Sequence, residues 1–162
     1  MGSTAKEIVE LDINEVVEEL NKALADEWLA YFQYLNGAKI VNGRMFPTVV
    51  KELQAIAAEE LEHADELTER IIQLGGKPIV DPKDVLAKTN CGYEAPTEDI
   101  PKVLKDAIKG EGCAIKVYNK IAKMTKDKDV VTYNLIIHIM EEEIDHEERF
   151  ENILGALESK TN

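Results

Sequence analysis

The sequence predicts an all-α protein, a bundle of four long helices with one long crossover between the second and third helices. Apolar residues recur every three or four positions through four segments, which is the helical period, and the longest irregular segment lies between the second and third of them. The 162 residues are 44% hydrophobic and 31% charged, which suits one globular domain over residues 1–162.

The first helix is predicted over about residues 12–41. Asp12 is of a residue type that caps helix N-termini, and Asn42 followed by Gly43 ends the apolar periodicity. Glu27 falls on the apolar stripe and interrupts a face that is otherwise suited to burial.

The second helix is predicted over about residues 48–74. Pro47 suits the first turn of a helix, and Gly75 with the glycine after it stops the pattern. Glu60 and His63 lie on the apolar stripe of this helix.

The crossover is predicted over about residues 75–98, with a short helical turn near 83–88. Its helix-breaking residues are Pro78, Pro82, Gly92 and Pro96. A helix of about 28 residues is about 42 Å long, and about 24 irregular residues reach further than that. The third helix can therefore begin at the opposite end of the bundle.

The third helix is predicted over about residues 99–123, with Asp99 as its cap, and the fourth over about residues 129–157. Glu111 falls on the apolar stripe of the third helix. The fourth helix places a glutamate and a histidine on its own stripe.

The two halves of the chain carry the same pattern of possible metal ligands. The six residues are Glu27, Glu60, His63, Glu111, Glu143 and His146. In each half a glutamate precedes a histidine by three residues, so both side chains share one helix face. A lone glutamate lies 33 residues upstream of that pair in the first half (60 − 27) and 32 upstream in the second (143 − 111). This repetition predicts a two-metal site inside the bundle.

Four ionised glutamates in a dry interior would each cost several kcal/mol or more, and two divalent cations would neutralise them. Mixed carboxylate and imidazole ligands suit iron, manganese or zinc, and the large share of oxygen favours redox iron. We expect Glu60 and Glu143 to bridge both metals and Glu27 and Glu111 to bind one metal each. Each histidine then supplies one nitrogen ligand.

Several neighbouring residues have weaker claims to a role. Glu59 and Glu142 are alternative ligands, and otherwise they are solvated or form helix-surface pairs like the other acids off the stripes. His138 has no acid three or four residues before it and is expected to be an ordinary packed or surface histidine. Tyr34 and Tyr118 each follow a lone glutamate by seven residues, so they either pack, or help to orient the ligands or supply electrons.

The formal net charge of −13 argues against a nucleic-acid partner and favours cations, although solubility alone also explains an acidic chain. No apolar run approaches the roughly 20 residues of a membrane span. The first ten residues lack the basic and apolar segments of a secretory signal, so we expect a cytoplasmic protein without a membrane partner.

Residues 59–78, EELEHADELTERIIQLGGKP, resemble the second helix of bacterioferritins. With DEWLAYFQYLNGA and EEEIDHEERFE, the resemblance to the ferritin-like di-iron superfamily covers essentially the whole chain. It implies a ferroxidase centre in each subunit, in which the six residues bind two ferrous ions. Dioxygen or hydrogen peroxide oxidises these ions, and the ferric product is stored as mineral inside a hollow shell.

Two departures from bacterioferritins narrow the resemblance. Bacterioferritins carry a haem-ligating methionine where this chain has Leu61, so no haem is expected. They also continue into a fifth helix, whereas 16 residues follow His146 here (162 − 146), which favours a smaller homo-oligomer of 12 subunits. This combination resembles the Dps-like thioferritins.

Thioferritins also carry two cysteines, which Cys91 and Cys113 match. Cys113 lies about 200° around the helix from Glu111, so we expect it to face away from the metals and toward the crossover that bears Cys91. A disulfide is geometrically possible, and two reduced thiols are the alternative in a cytoplasmic protein. A reversible pair could exchange electrons near the iron site.

The resemblance favours a Dps-like ferroxidase that removes ferrous iron and hydrogen peroxide together. An erythrin-type di-iron peroxidase without mineral storage is the alternative, although this chain lacks the CxxC pair of a rubredoxin-like domain. A non-catalytic scaffold is disfavoured, because two histidines cannot balance four buried carboxylates. The chain lacks the lysine-rich tails through which classical Dps proteins coat DNA.

Overall fold

The computed structural model describes Thr4 and residues 7–159, and these residues form five helices and no strand. The helices are α1 (Ile13–Ile40), α2 (Phe46–Gln73), α3 (Pro82–Lys88), α4 (Ile100–Thr125) and α5 (Val130–Glu158). The sequence predicted four long helices and a short helical turn near 83–88 in the crossover, where the structure has α3. Among the described residues, no helix is both long and apolar enough to cross a lipid bilayer.

Three of the five helices begin with an aspartate whose side chain caps the first turn, whereas α2, which follows Met45, and α4 lack such a bond. Asp12 precedes α1 and its carboxylate accepts a hydrogen bond from the Asn14 amide at 2.9 Å. Asp129 does the same for α5, where Oδ1 lies 3.1 Å from the Thr132 amide. The predicted cap of α4, Asp99, precedes the helix, but its side chain makes no capping hydrogen bond.

The crossover runs along α1 from Asn21 to just beyond the C-terminal end of that helix. The Asn21 side chain donates to the Lys77 carbonyl at 3.1 Å and accepts from the Ile79 amide at 2.8 Å. Further along α1, Asp26 holds residues 89–91, and the Asn42 amide donates to the carbonyl of Glu98 at 2.9 Å. Because the contacts follow the same order in both segments, α4 begins at the end of the bundle where α1 ends.

Two clusters of buried apolar residues fill the interior. One contains Leu20, Leu24, Leu67, Ile71, Ile121 and Ile139, and the other contains Leu53, Ile56, Val103, Leu104 and Phe150. Each long helix contributes buried residues to both clusters, and between these two sets lies a stretch of the helix that belongs to neither cluster. These stretches are 26–33, 58–63, 108–113 and 140–149. The middle of the fold therefore has room for polar side chains between two apolar layers.

Candidate metal centre

All six residues of the doubled pattern lie in this middle layer. Each of them is at most 2% exposed: Glu27, Glu60, His63, Glu111, Glu143 and His146. The four long helices each contribute one or two of them, as the helical spacing predicted. Burial of four carboxyl groups in one layer requires compensating protons or cations.

The six side chains form two overlapping groups that could each hold a metal ion. Glu27, Glu60, His63 and Glu143 form one group, and Glu60, Glu111, Glu143 and His146 form the other. Within each group the possible ligand atoms lie within 4.8 Å of one another. Glu60 and Glu143 belong to both groups, which is the position that a bridging carboxylate occupies.

Six of the twelve side-chain oxygen and nitrogen atoms of this centre are buried without a hydrogen-bond partner. Among the described residues, the buried side-chain oxygen and nitrogen atoms without a partner are Glu27 Oε2, Glu60 Oε1 and Oε2, His63 Nδ1, Glu66 Oε2, Glu143 Oε1 and His146 Nδ1. All but Glu66 Oε2 belong to the six residues. Buried polar atoms are normally paired, so this concentration of unpaired donor atoms fits ligands that a cation would satisfy.

The electrostatics of the site also favour cations. Desolvation, reinforced by neighbouring glutamates, raises the pKa of Glu60 and Glu111 well above the usual range and that of Glu143 to about 8. Desolvation acts on Glu27 too, but its polar neighbours, His63 first, outweigh it and lower the pKa. Desolvation opposes a charged His63, but its carboxylate neighbours raise its pKa. Without metal the site therefore retains protons, which cations would displace.

Each histidine is held by a glutamate on its outer nitrogen. His63 Nε2 lies 2.7 Å from Glu142 Oε2, and His146 Nε2 lies 2.6 Å from Glu59 Oε2. The inner nitrogens face the cluster, with His63 Nδ1 at 3.1 Å from Glu143 Oε1. A carboxylate on one ring nitrogen fixes the tautomer and the ring orientation, which leaves Nδ1 as the metal ligand.

Glu59 and Glu142, the two alternative ligands of the sequence analysis, pair with the histidines of the site. Neither belongs to the two groups of possible ligands. Each contacts the histidine of the other half of the chain. The signal in the sequence is the glutamate doublet, since each of them directly precedes a residue proposed to bridge the metals.

Glu59 and Glu142 have different neighbours. Arg149 Nη1 lies 3.0 Å from Glu59 Oε2, and its Nε lies 2.5 Å from Glu52. On the other side, His138 is about half exposed and its Nε2 lies 3.9 Å from Glu142 Oε1. The sequence pattern did not single out Arg149, although its place three residues after His146 is visible there. His138 lies at the surface, as the sequence predicted.

The two tyrosines connect the halves of the site. Tyr34 donates a hydrogen bond to Glu111 Oε1 at 2.5 Å, and Tyr118 donates to Glu27 Oε1. The lone glutamate of each half is therefore held by the tyrosine of the other half. Burial and the nearby carboxylates raise the pKa of both phenols, so both remain protonated donors.

Cys91 and Cys113 form a disulfide, with their Cα atoms 5.7 Å apart. Both cysteines line a cavity of about 320 Å³. Four glutamates of the centre, Glu27, Glu60, Glu111 and Glu143, line the same cavity. The prediction that Cys113 faces the crossover was correct, but it does not point away from the site, because the cavity extends from the disulfide to the carboxylates.

The donor set fits two ions of the first transition series. Two imidazole nitrogens and four carboxylates are borderline to hard ligands, which suit iron, manganese and zinc. Two groups sharing two carboxylates match the bridged site that ferritin-like di-iron proteins build from one glutamate and one Glu-x-x-His pair per half.

The comparisons with known proteins agree with this geometry. Residues 17–159 match the family model of the ferritin-like domain. The chain is 32% identical over 149 residues to the DNA protection during starvation protein of Pyrococcus furiosus. The matched residues cover 89% of this chain and 79% of that protein. It is 31% identical over 140 residues to the bacterioferritin of Desulfovibrio desulfuricans, covering 86% of this chain and 74% of the relative.

A solved structure extends the similarity to nearly every residue. It is a dodecameric thioferritin, the bacterioferritin-related protein of Bacteroides fragilis. It superposes with a TM-score of 0.95 at 36% identity and covers 99% of this chain and 100% of that chain. By its sequence, its fold and its buried carboxylate and histidine groups, the chain belongs to the ferritin-like family.

Proposed function

We propose that this protein is the ferroxidase subunit of a Dps-like iron-storage and peroxide-detoxification shell. The observation that carries the proposal is the pair of overlapping ligand groups with Glu60 and Glu143 in common. Such an arrangement suits two ferrous ions side by side as substrates. Hydrogen peroxide accepts one electron from each ferrous ion and two protons, and two ferric ions and two water molecules result; dioxygen is the alternative oxidant.

The residues have distinct tasks in this proposal. Glu60 and Glu143 bridge the ions, whose combined charge of +4 cancels the four carboxylates. Glu27 and Glu111 each bind one ion and are held in place by a tyrosine hydroxyl. The carboxyl groups with raised pKa release their protons when ions bind.

An iron-binding measurement tests the assignment. Anaerobic titration should give two ferrous ions per chain, and Glu60→Ala should lose both tight binding and fast oxidation because it removes a shared ligand. Glu62→Ala is the matched control, since this acid lies two residues away on the same helix and is exposed. Oxidation by Glu60→Ala at the control rate would refute the assignment.

We propose that twelve copies of a four-helix-bundle subunit form the shell. Support comes from the Bacteroides fragilis protein, which is dodecameric and similar over its whole length. Twelve chains of 18.2 kDa give about 218 kDa (12 × 18.2), whereas an erythrin-type peroxidase would form a small oligomer. Light scattering of the native particle separates the two, and a mass of two chains would contradict the shell.

An apolar surface groove supports contact with a second copy of the chain. It is lined mainly by apolar side chains of α1 and the crossover, among them Phe32, Val80 and Leu86, which are 53%, 87% and 59% exposed. Exposed apolar patches of this kind mark interaction surfaces. Val80→Asp with Leu86→Asp should lower the particle mass, whereas Ala87→Asp, which adds the same kind of charge on α3 outside the groove, should not.

We expect no haem and no DNA binding. Leu61 is 41% exposed on α2 and offers no ligand to haem iron. The net charge of −13 opposes contact with phosphates, although the Pyrococcus furiosus relative is named for DNA protection. Removal of ferrous iron and peroxide would protect DNA without contact. A stable complex with plain duplex DNA at physiological salt would contradict this expectation.

A further inference from the structure

Asp26 is a buried acid beside the proposed metal centre that takes no part in the ligand groups. It is 7% exposed and directly precedes Glu27 on α1. Within the described part of the chain, the hydrogen bonds that its carboxylate accepts come from residues 89–91 of the crossover and not from the histidines of the centre. A buried carboxylate that accepts all these hydrogen bonds from one turn of another segment can fix the position of that turn.

The contacts of Asp26 enclose the turn that carries Cys91. Oδ1 accepts from the Thr89 hydroxyl at 2.5 Å, from the Asn90 amide at 2.8 Å and from the Cys91 amide at 2.9 Å. Oδ2 accepts from the Asn90 side chain at 2.7 Å. Thr89 Oγ1 in turn accepts from the amide of Gly92 at 2.9 Å. The backbone on both sides of Cys91 is therefore tied to α1.

We propose that Asp26 is a positioning residue for a reversible thiol pair, because it holds Cys91 against Cys113 whether or not the disulfide is closed. The hydrogen bonds of Asp26 do not involve either sulfur atom, so we expect them to persist when the disulfide opens. Both cysteines then stay on the wall of the cavity that the glutamates of the centre share. This inference deepens the proposed function, since it places a redox-active pair beside the ferroxidase centre.

Reduction by glutathione measures how well the pair is positioned. Two glutathione thiols supply two electrons, the Sγ–Sγ bond breaks, and glutathione disulfide forms. The two cysteine sulfurs take up the two protons that the glutathione thiols release. The equilibrium constant of this exchange reports the effective concentration of one protein thiol at the other.

The test is this equilibrium in metal-free, assembled protein. Asp26→Ala should make the disulfide about tenfold easier to reduce, because the turn of the reduced chain is then free to move and the effective concentration of one thiol at the other falls. Asp26→Asn keeps an oxygen for the Thr89 hydroxyl and the two amides, so it should shift the equilibrium less. Thr89→Val removes one donor to Asp26 and should act in the same direction, which keeps the test decisive if Asp26→Ala does not fold.

Asn21→Ala is the matched control. Asn21 also lies buried on α1 and also ties the crossover, but at Lys77 and Ile79. It should leave the glutathione equilibrium unchanged even if it lowers the unfolding temperature. The proposal is overturned if Asp26→Ala and Thr89→Val both keep the wild-type equilibrium, or if Asn21→Ala shifts it as much as Asp26→Ala. Because no iron is used, failure here is separate from failure of the ferroxidase assignment.

Discussion

Replacement of Glu143 by glutamine should flatten the pH dependence of stability in the metal-free protein. A glutamate carboxyl group in water has a pKa of about 4.5, and burial raises the pKa of Glu143 to about 8 in the folded chain. Between these values the folded state binds one more proton than the unfolded state. The contribution of protonated Glu143 to folding stability is thus complete below pH 4.5 and is lost as the pH rises through 8.

The size of the effect follows from proton linkage. One excess proton changes the folding equilibrium tenfold per pH unit, so Glu143 alone destabilises the protein by about 3 kcal/mol between about pH 5 and pH 7. Glu60 and Glu111 act in the same direction because burial raises the pKa of both. The pKa of Glu27 is lowered, so Glu27 changes the stability in the opposite direction. That change occurs below pH 4.5 and lies outside the interval from pH 5 to pH 7.

Urea unfolding of chelator-treated protein at pH 5 and pH 7, followed by circular dichroism, measures this loss. Glu143→Gln should lose about 3 kcal/mol less than wild type over the interval, and Glu141→Gln, an exposed acid on the same helix, should behave like wild type. Equal pH dependence of Glu143→Gln and wild type would refute the reasoning.

A zinc concentration about 100 times the dissociation constant should add about 3 kcal/mol to the free energy of unfolding of the wild type at pH 7 and much less to that of Glu143→Gln.

Three further changes test neighbouring parts of the fold. Glu142→Gln removes the carboxylate from one site histidine and should weaken zinc binding by about 10- to 100-fold in calorimetric titration, whereas Glu141→Gln should not. Tyr118→Phe removes a hydroxyl donor from one lone glutamate and should weaken one of the two zinc sites by about tenfold in the same titration, and two unchanged sites would contradict this. Arg70→Met leaves Asp129 buried without its 2.8 Å partner and should lower the free energy of unfolding by about 3–5 kcal/mol, with a loss under about 1 kcal/mol counting against it.

Much of the centre could be predicted from spacing because helical periodicity is a local property. Residues three or four positions apart share a face whatever the rest of the chain does. An acid on an apolar stripe, such as Glu27 or Glu111, is therefore recognisable from the order of residues alone. The repetition of the pattern in both halves then predicted that four helices bring their acids to one level.

The contacts around those ligands could not be predicted, because they depend on how each helix is rotated against its neighbours. Glu59 and Glu142 each contact a histidine from the other half of the chain. Tyr34 and Tyr118 likewise each donate a hydrogen bond to the lone glutamate of the other half. A spacing within one helix carries no information on which residue of another helix lies opposite. Sequence reasoning therefore identified the tyrosines but not the atoms that they contact.

The helices, the crossover and the six buried residues proposed to bind metal follow from the order of residues, since periodicity and capping act over a few residues. Three features needed the folded chain: the path of the crossover along α1, the contact of Asp26 with the turn that carries Cys91, and the cavity shared by the disulfide and the carboxylates. These features join residues far apart in the chain. Packing of whole helices, and not local spacing, sets the distances between them.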